Sequence, residues 1–163
     1  MRVLIVSDTH RRDENLKKVL EKEGPIDLLI HLGDAEGSEQ IFKSWLPDST
    51  RLIVLKGNND FFSDLETEET VRIGKYNCLL THGHYYNVSL DLELLRQEAR
   101  ARGFDLAMFG HTHRPVIEEK GGVTLLNPGS LSYPRQEGHK PSYILLESDL
   151  RGNIRLQLNF LEE

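Results

Sequence analysis

The sequence predicts an α/β domain in which βαβ units come first and a mixed or antiparallel portion follows. Three observations carry this. Apolar, β-branched runs alternate with helical stripes through residue 56. Later runs are short and separated by glycine turns, with a single helical stripe among them. The chain has 163 residues, enough for one domain with a real core, so residues 1–163 are read as a single unit.

"RVLIVS" (2–7) is the compact run expected of a buried strand. Asp13 opens a helix with Leu16, Val19 and Leu20 on one face, stopped by Gly24-Pro25. "IDLLIHLG" (26–33) is a second strand. Ser38 is placed to cap a helix carrying Ile41, Phe42 and Trp45, closed by Pro47. "RLIVLK" (51–56) is a third strand, and the β-α-β-α-β order implies parallel strands with right-handed crossovers.

"TVRIGKYNCLLTH" (70–82) reads as two strands with a tight turn near Gly74-Lys75. Ser89 is the expected cap of the next helix, with Leu90, Leu94, Leu95 and Ala99 as its stripe and Gly103 as its stop. "FDLAMFGH" (104–111) is another strand, and short strands recur around Gly121-Gly122 and Arg151-Gly152-Asn153. The acidic run 64–69 reads as a solvated loop.

Composition removes several function classes. A net charge of −6 argues against wrapping long nucleic acid, which needs clustered Lys and Arg. It leaves room for a small anionic substrate, because a bound metal can outweigh the global field. The single cysteine, Cys78, lies in an apolar run, is read as a buried small hydrophobe, and leaves no disulfide within one chain. No apolar run is long enough to span a bilayer, and the N-terminal run is too short for a signal sequence, so a cytoplasmic location without membrane contact is expected.

The polar residues that end the apolar runs share a chemistry. After the first strand comes "SDTH" with Asp8 and His10; after the second, "HLGD" with Asp34; after the third, Asn58. "NCLL" is followed by "THGH" with His82 and His84, and "LAMF" by "GHTH" with His111 and His113. Ligands of parallel α/β sheets bind beyond the carboxyl ends of the strands, so these groups should converge on one rim. Asp8/His10 and His111/His113 are spaced i, i+2, and extended backbone would point both members of each pair the same way. Oxygen and imidazole donors without thiolate suit divalent metals and fit a structural zinc site poorly. Seven such ligands are too many for one tetrahedral ion, but serve two ions about 3.5–4 Å apart that share a carboxylate.

The order D-x-H, G-D, G-N-x-D, H, G-H-x-H resembles the calcineurin-like metallophosphoesterases, and "LNPGSLSYPR" (126–135) is similar to their small bacterial and archaeal phosphodiesterase subgroup. The resemblance implies a four-layer α/β/β/α sandwich with two mixed sheets and a dinuclear site at the strand ends. Carried over position by position, it gives Asp8, His10 and His113 to one metal, Asn58, His82 and His111 to the other, and makes Asp34 the bridge. The implied cofactor is two divalent ions per chain, with manganese ranked first and nickel, iron, zinc or magnesium behind it. The implied reaction is hydrolysis of a small phosphodiester by a metal-bound hydroxide. A phosphomonoesterase, or a non-catalytic scaffold on the same fold, is the rival. The filled ligand set favours the enzyme.

Asn59 departs from the histidine that many family members carry there, so Asp34 and Asn59 are the expected catalytic residues with no assigned proton donor. Asp60 either caps the turn or supports a histidine. His84, Asn127, Ser130 and Arg135 are the expected substrate contacts, with solvated loop an equal reading for His84. Arg12 and Arg114 bind phosphate or are ordinary surface arginines. His31 is read as packed and His139 as surface loop. A homo-oligomer is compatible with all of this.

Overall fold

Two five-stranded sheets stand face to face in the computed structural model, which describes residues 1–162; Glu163, the last residue of the expected domain, lies outside the described residues. The first sheet holds β1 (Arg2–Val6), β2 (Leu28–His31), β3 (Arg51–Val54), β9 (Ser142–Ser148) and β10 (Ile154–Phe160), in the order β10-β9-β1-β2-β3. The second holds β4 (Glu68–Ile73), β5 (Tyr76–Thr81), β6 (Leu106–Met108), β7 (Pro115–Lys120) and β8 (Val123–Pro128), in the order β4-β5-β6-β8-β7. Each has a parallel trio: β1-β2-β3 runs to one edge of the first sheet with antiparallel β9 and β10 beyond β1, and β5-β6-β8 is flanked on both sides by antiparallel β4 and β7.

Side-chain alternation along the strands explains the layering. Val3 and Ile5 of β1 face Leu80 of β5 and Met108 of β6 in the cluster between the sheets. Leu4 and Val6 point the other way, onto Leu16 and Val19 of α1 (Glu14–Glu23) and Phe42 of α2 (Glu39–Trp45). Leu79 and Ala107 likewise leave the second sheet to meet Leu95 and Ala99 of α3 (Glu93–Ala101). The result is the expected α/β/β/α order, with α1 and α2 on one outer face and α3 on the other.

Four expectations need correction. The strands stop short: β1 ends at Val6 and β6 at Met108, because the following residues turn into the loops that carry polar groups. Ser89 does not cap α3. The helix starts at Glu93, whose N–H is taken by the Asp91 carboxylate at 3.0 Å, while residues 87–90 form a turn closed by the Leu90 N–H on the Asn87 carbonyl. Leu90 and Leu94 are therefore exposed, and the helix buries Leu95, Arg96 and Ala99, with Arg96 paired to Glu93 and Glu118. Asp13 and Ser38 do sit at the N-cap positions of α1 and α2, yet neither makes a capping bond through its side chain. Finally, 64–69 is not all loop, since Glu68 and Glu69 already belong to β4 and Glu68 accepts from the Tyr86 hydroxyl.

Cys78 is fully buried, and its thiol pKa is pushed up to about 12 by burial and the nearby Asp105 charge, which suits an inert hydrophobe. His31 is fully buried and His139 is exposed on its loop. Among the described residues, no helix is long and apolar enough to cross a membrane.

Candidate metal centre

All seven expected ligands meet at one end of the sandwich, on loops that leave β1, β2, β3, β5 and β6. Asp8 is at the centre. Its Oδ1 lies 3.3 Å from His113 Nε2, 3.8 Å from His82 Nε2 and 3.9 Å from His10 Nε2. Its Oδ2 accepts from the Ser7 hydroxyl at 2.5 Å and the His111 N–H at 3.0 Å. Asp34 Oδ2 lies 3.3 Å from His82 Nε2 and 3.8 Å from His10 Nε2. The Asn58 amide oxygen is 3.0 Å from His82 Nε2 and 3.1 Å from His111 Nδ1. Two clusters of ligand atoms result: Asp8, His10 and His113, and Asp8, Asp34 and His82. The first contains the three side chains expected to hold one metal. The second places Asp8 beside the second position too, so Asp8 is common to both clusters while Asp34 belongs to the second.

The imidazoles are fixed from behind. His82 Nδ1 donates to the Leu32 carbonyl and His113 Nδ1 to the Tyr133 carbonyl, both at 2.8 Å, which turns each Nε2 toward the cluster. His10 Nδ1 lies 3.0 Å from Glu36 Oε2, a carboxylate–histidine pair of the kind that raises ligand basicity. Asp60 takes three backbone N–H groups, of Asp34, Glu36 and Gly57, at 2.8, 2.8 and 2.7 Å. It ties the β2 and β3 loops together and supports no histidine.

The backbone here is unusual. Asp8 (φ 57), His10 (φ 47), Asp34 (φ 62), His111 (φ 71) and His113 (φ 59) are all left-handed. The paired ligands converge through these tight turns rather than through extended backbone, which corrects the i, i+2 argument. Asp and His are among the few side chains enriched in this region. Two glycines let the loops close on the carboxylates. A Cβ on Gly57 would lie 2.2 Å from Asp34 Oδ1, and one on Gly110 would lie 2.1 Å from Ser7 Oγ and 2.6 Å from Asp8 Oδ2.

The charge balance calls for cations. Burial by itself would raise the Asp8 carboxyl pKa, but the His82 and His113 imidazoles and the Ser7 hydroxyl hold it below its usual value. Burial also opposes ionisation of Asp34, yet His82 and the two Asn59 donors hold its carboxyl well below the carboxylate range. His82 is lifted to about 9: burial works against its charge, and Asp8 and Asp34 overcome it. Two buried carboxylates thus create a field strong enough to retain a proton on a buried imidazole. Asp8 Oδ1 has no hydrogen-bond partner among the described residues. Buried carboxylates with converging imidazole nitrogens and no sulfur fit divalent ions with mixed oxygen and nitrogen coordination, the cations taking the place of the proton held on His82.

This geometry has counterparts. Residues 1–150 match the calcineurin-like phosphoesterase superfamily domain. The chain belongs to that superfamily. It is 35% identical to the probable metallophosphoesterase YsnB of Bacillus subtilis over 151 residues, covering 91% of this chain and 86% of that protein. It is 28% identical to the phosphodiesterase YfcE of Escherichia coli, covering 96% of this chain and 92% of YfcE. Among solved structures, a conserved phosphoesterase-like protein of Streptococcus pneumoniae superimposes with a TM-score of 0.80 at 25% identity, covering 98% of this chain and 88% of the other. Zinc-bound Vps29 of Entamoeba histolytica superimposes with a TM-score of 0.76 at 24% identity over 98% and 99% of the two chains, a likeness of fold.

The remaining site expectations divide. His84, on the short 3₁₀ turn His84–Tyr86, packs its ring 5.4 Å from that of His82 and 6.2 Å from that of His111, at the edge of the cluster. Arg135 is exposed beside a cavity of about 520 Å³ that is also lined by His10, Glu36, His113 and Tyr133. Asn127 and Ser130 do not reach that space. Both are fully buried. The Asn127 amide donates to the Gly110 carbonyl and Thr112 Oγ1 and accepts from the Gly129 N–H. The Ser130 hydroxyl donates to the Asp8 carbonyl and accepts from the Ser132 and Tyr133 N–H groups. They hold ligand loops in place and are corrected from substrate contacts to scaffold. Asn59 gives its backbone N–H and its amide N–H to the two oxygens of Asp34, at 2.8 and 3.0 Å. Arg12 stands 5.3 Å from the Tyr133 ring centre, and Arg114 is exposed. Sequence reasoning missed Glu36 and Tyr133; an acidic residue two positions after Asp34 was the signal available for the first.

Proposed function

We propose that the protein is a metal-dependent phosphodiesterase acting on small phosphodiesters, with two divalent ions, manganese foremost, held by Asp8, His10, Asp34, Asn58, His82, His111 and His113. The observation that carries the reading is the pair of clusters that share Asp8, the second of which also holds Asp34. When bound, the ions supply Lewis-acid neutralisation of the ester oxygens and an acidified water as nucleophile. The chain's own part is positional. Carbonyls behind His82 and His113 and the Glu36 carboxylate behind His10 keep the donor nitrogens aimed inward. Asp34 lies in the second cluster with its Oδ2 3.8 Å from the His10 nitrogen of the first, which supports giving it the bridging role.

Asn59 acts through Asp34. Its amide N–H is already given to the carboxylate, and an amide delivers no proton, so the leaving oxygen departs with most of its charge. Rates should then depend steeply on leaving-group pKa, since general acid assistance is worth roughly 10²–10⁴-fold and helps poor leaving groups most. The test is a manganese-reconstituted screen of aryl and alkyl diesters against the matching monoesters. Fast aryl diesters, slow alkyl diesters and weak monoester turnover are expected. Monoesters outrunning diesters, or no turnover of either, would overturn the assignment.

A further inference from the structure

Metal binding makes no use of Phe61 and Phe62, directly after Asn58-Asn59-Asp60. They are 74% and 101% exposed, although phenyl rings are usually held inside. The loop that carries them is not loose. It is closed by the Lys56 N–H on the Glu66 carbonyl at 2.8 Å, and Asp60 anchors it through its three backbone N–H contacts. It also has its own apolar anchor, because Leu65 packs into the core under α1 and α2. Nothing about holding the loop therefore requires the two rings.

They line a groove of about 770 Å³ that runs from Arg11 and Asn59, past Phe61 and Phe62, to Lys43 and the edge strand β3 at Leu52. The groove adjoins the metal centre through two of its lining residues, Asn59, whose amide is bonded to Asp34, and Glu36, whose carboxylate lies 3.0 Å from His10 Nδ1. Its size matches cavities that enclose ligands of roughly 300–1,000 Å³, far more than a phosphate needs. Its rim carries Glu36, Glu39, Asp64 and Glu69 against Arg11 and Lys43, an excess of carboxylate that disfavours a further anionic group.

We propose that this groove is the subsite for an uncharged aromatic ester group of the substrate, docked against Phe61 and Phe62 while its phosphate lies at the metal centre. The inference rests on the phosphodiesterase reading. Aromatic groups gain from offset or edge-to-face contact with the rings, and added negative charge meets the acidic rim. A nucleobase on a sugar without a further phosphate and a simple aryl group share this chemistry.

The test uses phosphonates, which hold a phosphate-like head without being hydrolysed. Affinities of methylphosphonate, phenylphosphonate, 4-carboxyphenylphosphonate and the phosphonate of 5′-deoxyuridine joined through a 5′ carbon–phosphorus bond are measured by calorimetry on zinc-loaded protein, wild type and F61S/F62S. In the wild type phenylphosphonate should bind about tenfold tighter than methylphosphonate, a gain in the range of one aromatic contact. The carboxylated compound should lose most of that gain, the phenyl-to-methyl ratio should collapse in the variant, and Phe ring resonances should shift on adding phenylphosphonate. The uridine phosphonate distinguishes the sources, binding tighter than the phenyl compound if the groove takes a nucleoside. A ratio unchanged in F61S/F62S while diester turnover persists overturns this inference alone. Loss of both phosphonate binding and turnover in the wild type overturns the phosphodiesterase reading and this inference with it. A wild-type dimer that F61S/F62S converts to monomer in sedimentation assigns the rings to a second copy and also overturns it.

Discussion

Acid should loosen this fold through one buried imidazole that is not among the metal ligands. His31 is fully buried; its Nδ1 accepts from the Gly33 N–H at 3.2 Å and its Nε2 lies 2.9 Å from Thr9 Oγ1. Its ring is stacked on Phe42 with 5.4 Å between centres. Nδ1 is thus committed as an acceptor, and a proton there would break the bond to Gly33. Burial is the main cause that pulls the His31 pKa down to about 4 against the pull of Asp8 and Asp60, whereas an unfolded chain keeps the ordinary 6.5. Between those values the unfolded chain holds a proton that the folded chain does not, so stability falls as pH falls. The contribution is fully present above 6.5 and is lost progressively down to about 4. At about 1.36 kcal/mol per unit, lowering the pH from 8 to 5 should cost about 2 kcal/mol through this residue alone. The assay is urea unfolding in EDTA at both pH values, for wild type and His31→Asn, whose Oδ1 can replace the Nδ1 acceptor. EDTA keeps the pH dependence of metal binding out of the comparison. The variant starts less stable because it loses the stack, but its loss between pH 8 and 5 should be smaller by about 2 kcal/mol. Equal losses in the two proteins would refute the argument.

Further outcomes concern the metals. Reconstitution with manganese should saturate at two ions per chain by elemental analysis and titration; saturation at one would remove the dinuclear assignment. Glu36→Gln should weaken metal binding about 10–100-fold in competition with a chelating dye, because His10 loses its carboxylate partner, and an unchanged affinity would show the pair to be incidental. Asp34→Asn should bind the second ion poorly and lose several orders of magnitude in turnover while remaining folded; near-normal turnover would place the bridge elsewhere. Gly110→Ala should disturb the Asp8 site before the fold, since its Cβ would press on Ser7 Oγ and Asp8 Oδ2, and metal affinity with circular dichroism separates the two.

Much of this was legible in the chain because apolar periodicity and strand-end polar residues report different things. The β-α-β-α-β half follows from the runs 2–7, 26–33 and 51–56, whose buried cores became β1, β2 and β3. The convergence of ligands follows from the parallel order of those strands. Other features were not legible, for identifiable reasons. Ser89 looked like a cap because capping chemistry is local, while the start of α3 was decided by the Asp91 turn and by which leucines meet β6 and β8. Asn127 and Ser130 looked like contacts because they flank a turn near the site; only the folded chain shows their hydrogen bonds turned inward. The pairing of His10 with the Glu36 carboxylate was not legible either, since the two are 26 positions apart and an acidic residue two positions after Asp34 does not say which histidine it meets.

The left-handed ligands set stability and activity against each other within single residues. Each of Asp8, His10, Asp34, His111 and His113 holds a conformation that costs on the order of 1–2 kcal/mol for a side chain and nothing for glycine. Glycine at any of them would relax the metal-free backbone and delete a ligand in the same step. Selection for thermal stability without metal would therefore favour exchanges that erase the centre. On the proposed function, metal present during folding would reverse the preference, because ions could compensate the strain only while every donor is in place. Under that reading, variants selected for stability would keep the centre only where stability is assayed with cations present.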